Sequence, residues 1–234
     1  MNGVISIKRV LLIAATFIAI GAWGHASANV VVLNFAGLNG DAEEEPLNYY
    51  DGGQGSLGSG PGTNYGITFP SNVITCAGAD TGGPCNTAEV PGGPGANLIF
   101  FLSGTADTMD VTGGFTTGFS FYYSAASDPG SVSVWSGLDG TGTLLATLNL
   151  PLTPNDGNSG CDGTNFCPYV PIGVSFSGTA ESVNFGGSEN QVGFADITFG
   201  SVTAGGPIPE PASMAILGVG LGGLGAIRRR KRVQ

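Results

Sequence analysis

The 234-residue chain carries a formal net charge of −10, and its charges are segregated. All seven basic residues lie near the two ends, at Lys8 and Arg9 and at Arg228, Arg229, Arg230, Lys231 and Arg232, and the single histidine is His25. Residues 29–206 hold every acidic residue except Glu210, sixteen carboxylates in all, and no basic side chain. That excludes a His or Lys general base, Ser-His and Cys-His nucleophiles, and zinc held by imidazole. It also argues against nucleic acid as a partner, which needs Lys and Arg against phosphate. Carboxylates and main-chain carbonyls remain, and these suit Ca2+. Among catalytic classes, only acid-pair chemistry of the glycoside-hydrolase kind survives on composition.

In chain order, Lys8 and Arg9 precede an apolar stretch from Val10 to Ala22 and the small-residue run Ala26-Ser27-Ala28. This pattern predicts a secretory signal peptide over residues 1–28, cut after Ala28 by signal peptidase. The body, residues 29–199, shows no helical periodicity of useful length. It reads as short strands: Val30–Phe35, Tyr65–Phe69, Val73–Cys76, Leu98–Leu102, Thr108–Val111, Thr116–Tyr123, Ser131–Trp135, Leu144–Leu150, Gly173–Ser177, Ser182–Phe185 and Val192–Phe199. Asp128-Pro129-Gly130, Asp139-Gly140-Thr141-Gly142 and Gly186-Gly187 supply turns between them. Phe119, Phe121 and Tyr123 alternate with Ser120 and Tyr122, the period of a strand with one face buried. Strands without helices predict an all-β fold, an antiparallel β-sandwich of jelly-roll-like form. Residues 200–207 read as a linker to a tail over 208–234.

Four cysteines fall in two close pairs. In an exported chain the default is local pairing of Cys76 with Cys85 and of Cys161 with Cys167; metal binding by four thiolates is the rival. The acidic run Asp41-Ala42-Glu43-Glu44-Glu45 reads as a solvated loop, with Ca2+ binding through Asp41 and Glu43 as the sharper alternative. The oxygen-rich loop from Asn155 to Asp162 lacks the spacing and terminal glutamate of an EF-hand. Tyr49, Tyr50, Tyr122, Trp135 and Tyr169 are aromatics of the kind that stack on sugar rings. Trp135 and Tyr122 are the best candidates, because alternation turns them away from Val134 and Phe121. Asp107 and Asp110 are the nearest thing to a catalytic pair, but three residues apart on a strand they point to opposite faces.

The tail has three parts: Pro209-Glu210-Pro211, an uncharged apolar run from Ala212 to Ile227, and the basic cluster Arg228 to Arg232. As a helix the apolar run is roughly 24 Å long, enough for a short transmembrane helix in a thinned bilayer, with the basic cluster as stop-transfer signal on the cytoplasmic side.

In that order of parts the tail closely resembles the PEP-CTERM sorting signal, which also goes by the name ice-binding protein C-terminal domain. The resemblance implies recognition of Pro209, Glu210 and Pro211 by an exosortase in a Gram-negative bacterium, transient anchoring in the inner membrane, and delivery to the cell surface or exopolysaccharide matrix. The flat threonine array that an ice-binding surface favours is not visible. The body is similar to a recurring all-β ectodomain of PEP-CTERM proteins, in Leu33–Asp41, Asn64–Phe69, Gly118–Ser124, Ser131–Leu150 and Ser182–Ser201. Where that pattern's first strand has Phe-Glu-Gly, this chain has Phe35-Ala36-Gly37. A Ca2+ site joining first and last strands would thus keep Asp196 and lack the Ala36 position. The expected function is that of a non-enzymatic surface or matrix protein. A lectin-like carbohydrate- or Ca2+-binding module is the alternative, and a carboxylate-only glycoside hydrolase the second.

Overall fold

The computed structural model describes residues 30–155, 161 and 163–206. Among these there are eleven strands and three short 3-10 turns. The strands are β1 (Val31–Leu33), β2 (Ile67–Thr68), β3 (Val73–Cys76), β4 (Leu98–Phe101), β5 (Ala106–Phe115), β6 (Gly118–Ala125), β7 (Gly130–Trp135), β8 (Leu144–Leu150), β9 (Val170–Ser175), β10 (Ala180–Gly186) and β11 (Val192–Phe199). Each predicted segment is a strand, and β3, β8 and β11 have the predicted bounds. The differences have local causes. Phe35 turns left-handed (φ 57°) and ends β1 early. Thr117 (φ 76°) makes a turn where β6 was expected to begin. β9 starts three residues before its predicted position and includes Pro171, which an edge strand tolerates.

The strands form two antiparallel sheets. The first runs β3-β4-β11-β6-β9, with β1 beside the second half of β11; the second runs β2-β5-β10-β7-β8. From β4 onward the chain crosses between sheets at every connection except the β7–β8 hairpin. The resulting orders, β4-β11-β6-β9 against β5-β10-β7-β8, are those of an eight-stranded jelly roll extended by β1, β2 and β3.

Between the sheets the core is built on phenylalanine. Phe119 and Phe121 from β6 and Phe194 and Phe199 from β11 meet Phe115 from β5 and Phe185 from β10. Phe185 and Phe194 lie 4.8 Å apart at 64°, and Phe115 and Phe199 5.0 Å apart at 80°. Edge-to-face contacts of this kind add to the area they bury.

β11 contains a break in alternation. Val192 and Phe194 face the core; strict period two would next send Asp196 inward and turn Ile197 and Phe199 out. Instead the pairing with β6 shifts between Ala195 and Thr198, and Asp196 takes φ 52°. One extra residue restores Ile197 and Phe199 to the core and keeps the carboxylate out of it.

The outer face of the first sheet is covered. Ile74, Cys76, Leu98, Phe100 and Ala195 form a second apolar cluster there, against Cys85, Val90 and Tyr169. Both expected disulfides are present, Cys76–Cys85 with Cα atoms 6.0 Å apart and Cys161–Cys167 with 5.5 Å. The loop closed by Cys161–Cys167 is tied to the segment just after Cys85: Thr87 Oγ1 donates to Phe166 O (2.6 Å), and the Asn165 N–H to Asn86 Oδ1 (3.0 Å). Residues 200–206, read from sequence as linker, fold back over the same sheet. Ser120 Oγ donates to Ser201 O and the Gly205 N–H to Thr198 Oγ1. Gly173 permits this approach, since a Cβ there would collide with Val202 O.

Phe121→Ala should lower unfolding free energy by about 3–5 kcal/mol in a urea titration, whereas Leu144→Ala at an exposed edge should stay within about 0.5 kcal/mol.

Candidate functional site

The outer face of the second sheet is open and polar. Inward Val183, Phe185, Val132, Val134 and Leu148 force their neighbours outward. The register then sets Thr108, Asn184, Ser133 and Thr147 abreast across β5, β10, β7 and β8. Asn184 Nδ2 donates to Thr108 Oγ1 at 2.9 Å. The next row is Asp110, Ser182, Trp135 and Leu144, in which Trp135 Nε1 donates to Ser133 Oγ at 3.2 Å. The β7–β8 loop walls this end. Its Gly140 N–H donates to Ser182 Oγ (3.0 Å), and its Asp139 N–H to Asp110 Oδ1 (2.8 Å). The result is a flat row of hydroxyl and amide groups with a partly exposed indole and two carboxyls at one end. Such a surface offers hydrogen bonds to neutral hydroxyls and an apolar ring face, with no cation.

Tyr122, the other candidate for sugar contact, is partly buried on the outer face of the first sheet, near Gly205. The two candidates therefore lie on opposite sides of the sandwich. Tyr50 and Tyr169 are structural: Tyr50 packs edge-on against Phe35 and accepts the Phe35 N–H, and the Tyr169 hydroxyl bonds Thr87 Oγ1. Burial pushes both phenols well above their usual range.

Asp107 and Asp110 do not form a pair. Asp107 is held at the sheet edge by Asn72 Nδ2 at 2.8 Å, while Asp110 faces out beside Asp139. Burial pushes both carboxyls up; at Asp110 the Asp139 N–H works against this and the neighbouring Asp139 charge adds to it.

The acidic run departs from its expected solvated form at Glu44. Asp41, Glu43 and Glu45 are not buried, but Glu44 is fully so (0% exposed). Its carboxylate accepts the N–H groups of Asn39 (2.7 Å), Leu57 (3.0 Å) and Ser59 (3.1 Å). Burial works to raise its pKa, but the Ser59 hydroxyl and these three N–H groups outweigh burial and hold the carboxyl below its ordinary range. Glu44 thereby pins residues 39–59 as one compact loop. Nothing in the local sequence marks it out, because its partners Leu57 and Ser59 are thirteen and fifteen residues away.

Asp41, Glu43 and Asp196 are not assembled into one ligand group. Among the described residues, the set of three His, Cys, Asp or Glu ligand atoms within 4.8 Å is Glu43 with Cys76 and Cys85, whose sulfurs are committed to a disulfide. Asp196 sits in the β11 bulge against Gly92 and Gly205, and burial raises its carboxyl. Of the candidates named from the sequence, Ala26, Ala28, Pro209, Glu210, Pro211 and Arg228 to Arg232 lie outside the described residues; so do most residues of the oxygen-rich loop.

Glu44 and Asp196 should give opposite pH signatures in denaturant titrations run in EDTA. Glu44, lowered in the folded state, stabilises above the unfolded carboxyl pKa and loses that effect as pH falls through its folded value. Glu44→Gln should therefore cost about 1–3 kcal/mol at pH 7 and progressively less under acid. Asp196, raised when folded, destabilises at neutral pH and is relieved as pH falls through its folded value. Asp196→Asn, which also tolerates left-handed backbone, should be more stable than wild type at pH 7, with the gain shrinking toward pH 4.

Comparison with known proteins finds similarity to solved structures, three carbohydrate-binding modules among them. A family 6 carbohydrate-binding module is 24% identical, over 48% of this chain and 81% of that one, with TM-score 0.32. A carbohydrate-binding module of Cellvibrio mixtus lichenase 5A, solved with cellotriose, is 12% identical over 48% and 84%, with TM-score 0.32. A family 29 carbohydrate-binding module from Piromyces equi is 7% identical over 64% and 94%, with TM-score 0.30. No curated protein matches the chain. A family model does match the tail: residues 207–231 fit the PEP-CTERM protein-sorting motif. This chain thus carries a PEP-CTERM protein-sorting motif, placed over the Pro-Glu-Pro, apolar and basic segments read from its sequence.

Proposed function

We propose that this chain is exported by its signal peptide and processed by an exosortase. The apolar run 212–227 holds it transiently in the inner membrane before release to the cell surface or exopolysaccharide matrix. The carrying observation is the sorting motif at residues 207–231. In that setting the sandwich is a non-enzymatic module. Two disulfides suit an oxidising compartment. The sixteen carboxylates, with no cation among residues 29–206, keep the body soluble and repel polyanions. Expressed in an exosortase-bearing host, Glu210→Ala should accumulate unprocessed in the inner-membrane fraction; surface delivery of that variant equal to wild type would refute sorting by this motif.

A carbohydrate-binding role within that setting is favoured by the open face of the second sheet. A neutral glycan laid across Thr108, Asn184, Ser133 and Thr147 would meet hydroxyl and amide partners and rest one ring on Trp135. In affinity electrophoresis through the host's neutral exopolysaccharide, Trp135→Ala should weaken retardation about tenfold, equivalent to ~1.4 kcal/mol. Unchanged retardation would remove this face from the proposal.

A further inference from the structure

A second cleft, of about 380 Å3, opens beside the covered sheet, where the two disulfide loops meet the β6–β7 and β10–β11 turns. Its floor is apolar, made by Leu98 and Phe100 on β4, with Phe166 at the side. Its rim carries four amide side chains, Asn86, Asn165, Asn190 and Gln191. Three of these, Asn165, Asn190 and Gln191, make no side-chain hydrogen bond to any described residue, and Asn86 uses only its Oδ1, leaving its NH2 available.

The rim is held in place before any ligand arrives. Asn165 lies in the loop closed by Cys161–Cys167 and Asn86 directly follows Cys85 of the other bridge, and the two segments are laced together through Thr87 and Phe166. Asn190 takes a left-handed backbone (φ 56°), and its N–H donates to Phe101 O at 2.9 Å, fixing the turn against β4. Such pre-organisation reduces the ordering cost of binding.

Four amides, each a donor and an acceptor, converge over an aromatic and aliphatic floor, with Glu43 as the one ionisable group among the described lining residues. We infer that this cleft is a binding site for a neutral sugar unit, its hydroxyls taken by the amides and its C–H face by Phe100 and Phe166. The volume falls in the range of small-ligand pockets. Anionic sugars are disfavoured, because the described lining residues include Glu43 and no cation. The cleft is separate from the Trp135 face, which belongs to the other sheet.

The test is a titration of the disulfide-bonded, exported protein with cellobiose, maltose, glucosamine and galacturonate, followed by amide NMR shifts and calorimetry. A neutral disaccharide should bind and shift resonances of Asn86, Asn190 and Gln191. Asn190→Gly, which keeps the left-handed turn, combined with Gln191→Ala should weaken that binding by about tenfold or more. Asn86→Asp, which retains the acceptor for the Asn165 N–H and removes the donor, should weaken it as well. Resonances of Asn86 report this cleft and those of Thr108, Asn184 and Trp135 the open face, which separates failure here from failure of the open-face site. Thermal melts of all variants control for folding. The inference is overturned if no neutral disaccharide binds wild type, if glucosamine or galacturonate binds in preference, or if the folded Asn190→Gly/Gln191→Ala variant binds as wild type does.

Discussion

The interlocking of phenylalanines between the two sheets is the contact on which the rest of the molecule depends. Phe119, Phe121, Phe194 and Phe199 come from neighbouring strands of one sheet and meet Phe115 and Phe185 of the other. Each buried ring contributes roughly 1.5–3 kcal/mol, and no ion pair within the body adds to that sum. The requirement is strong enough to dictate backbone geometry. β11 takes a bulge at Asp196 so that Ile197 and Phe199 face inward, and that bulge decides which residues of β11 look out.

A body with many anions and no cations has to manage its carboxylates without partners of opposite charge. Two solutions are visible. Glu44 is taken fully inside and satisfied by three backbone N–H groups, turning a charge into a loop fastener. Asp107 and Asp110 remain at partly buried positions and Asp196 at a buried one, where the charged form is penalised. The pH dependence of stability thus combines opposing carboxylate effects. The same charge pattern shapes recognition, since both candidate binding surfaces offer amides, hydroxyls and aromatic faces, the chemistry of neutral hydroxylated ligands.

The two faces of the sandwich are finished differently. The first sheet is roofed by the disulfide loops and by residues 200–206, and its amide-rimmed cleft exists only because loops distant in sequence are tied together over β4. The second sheet is left bare, so its polar rows are presented by the strands themselves. Rigid strands position one surface and cross-linked loops the other. A protein delivered outside the cell, where disulfides persist, can use both constructions.

Much of this was legible in the sequence. Alternation at Phe119–Tyr123 and Val132–Trp135, and turn residues between short β-branched runs, determined the strands and hence an all-β sandwich, because side-chain direction in a strand is local. Cysteine spacing pointed to the two bridges, and the order Pro-Glu-Pro, apolar run, arginines identified the sorting tail. Even the β11 bulge left a trace, in the change of parity between Phe194 and Ile197. What the tertiary structure alone decided depends on residues far apart in the chain. Sequence could not separate buried Glu44 from its solvent-facing neighbours Glu43 and Glu45, put Trp135 and Tyr122 on opposite sides, or join Asn86 to Asn165, because each of those outcomes is set by strand order and loop packing.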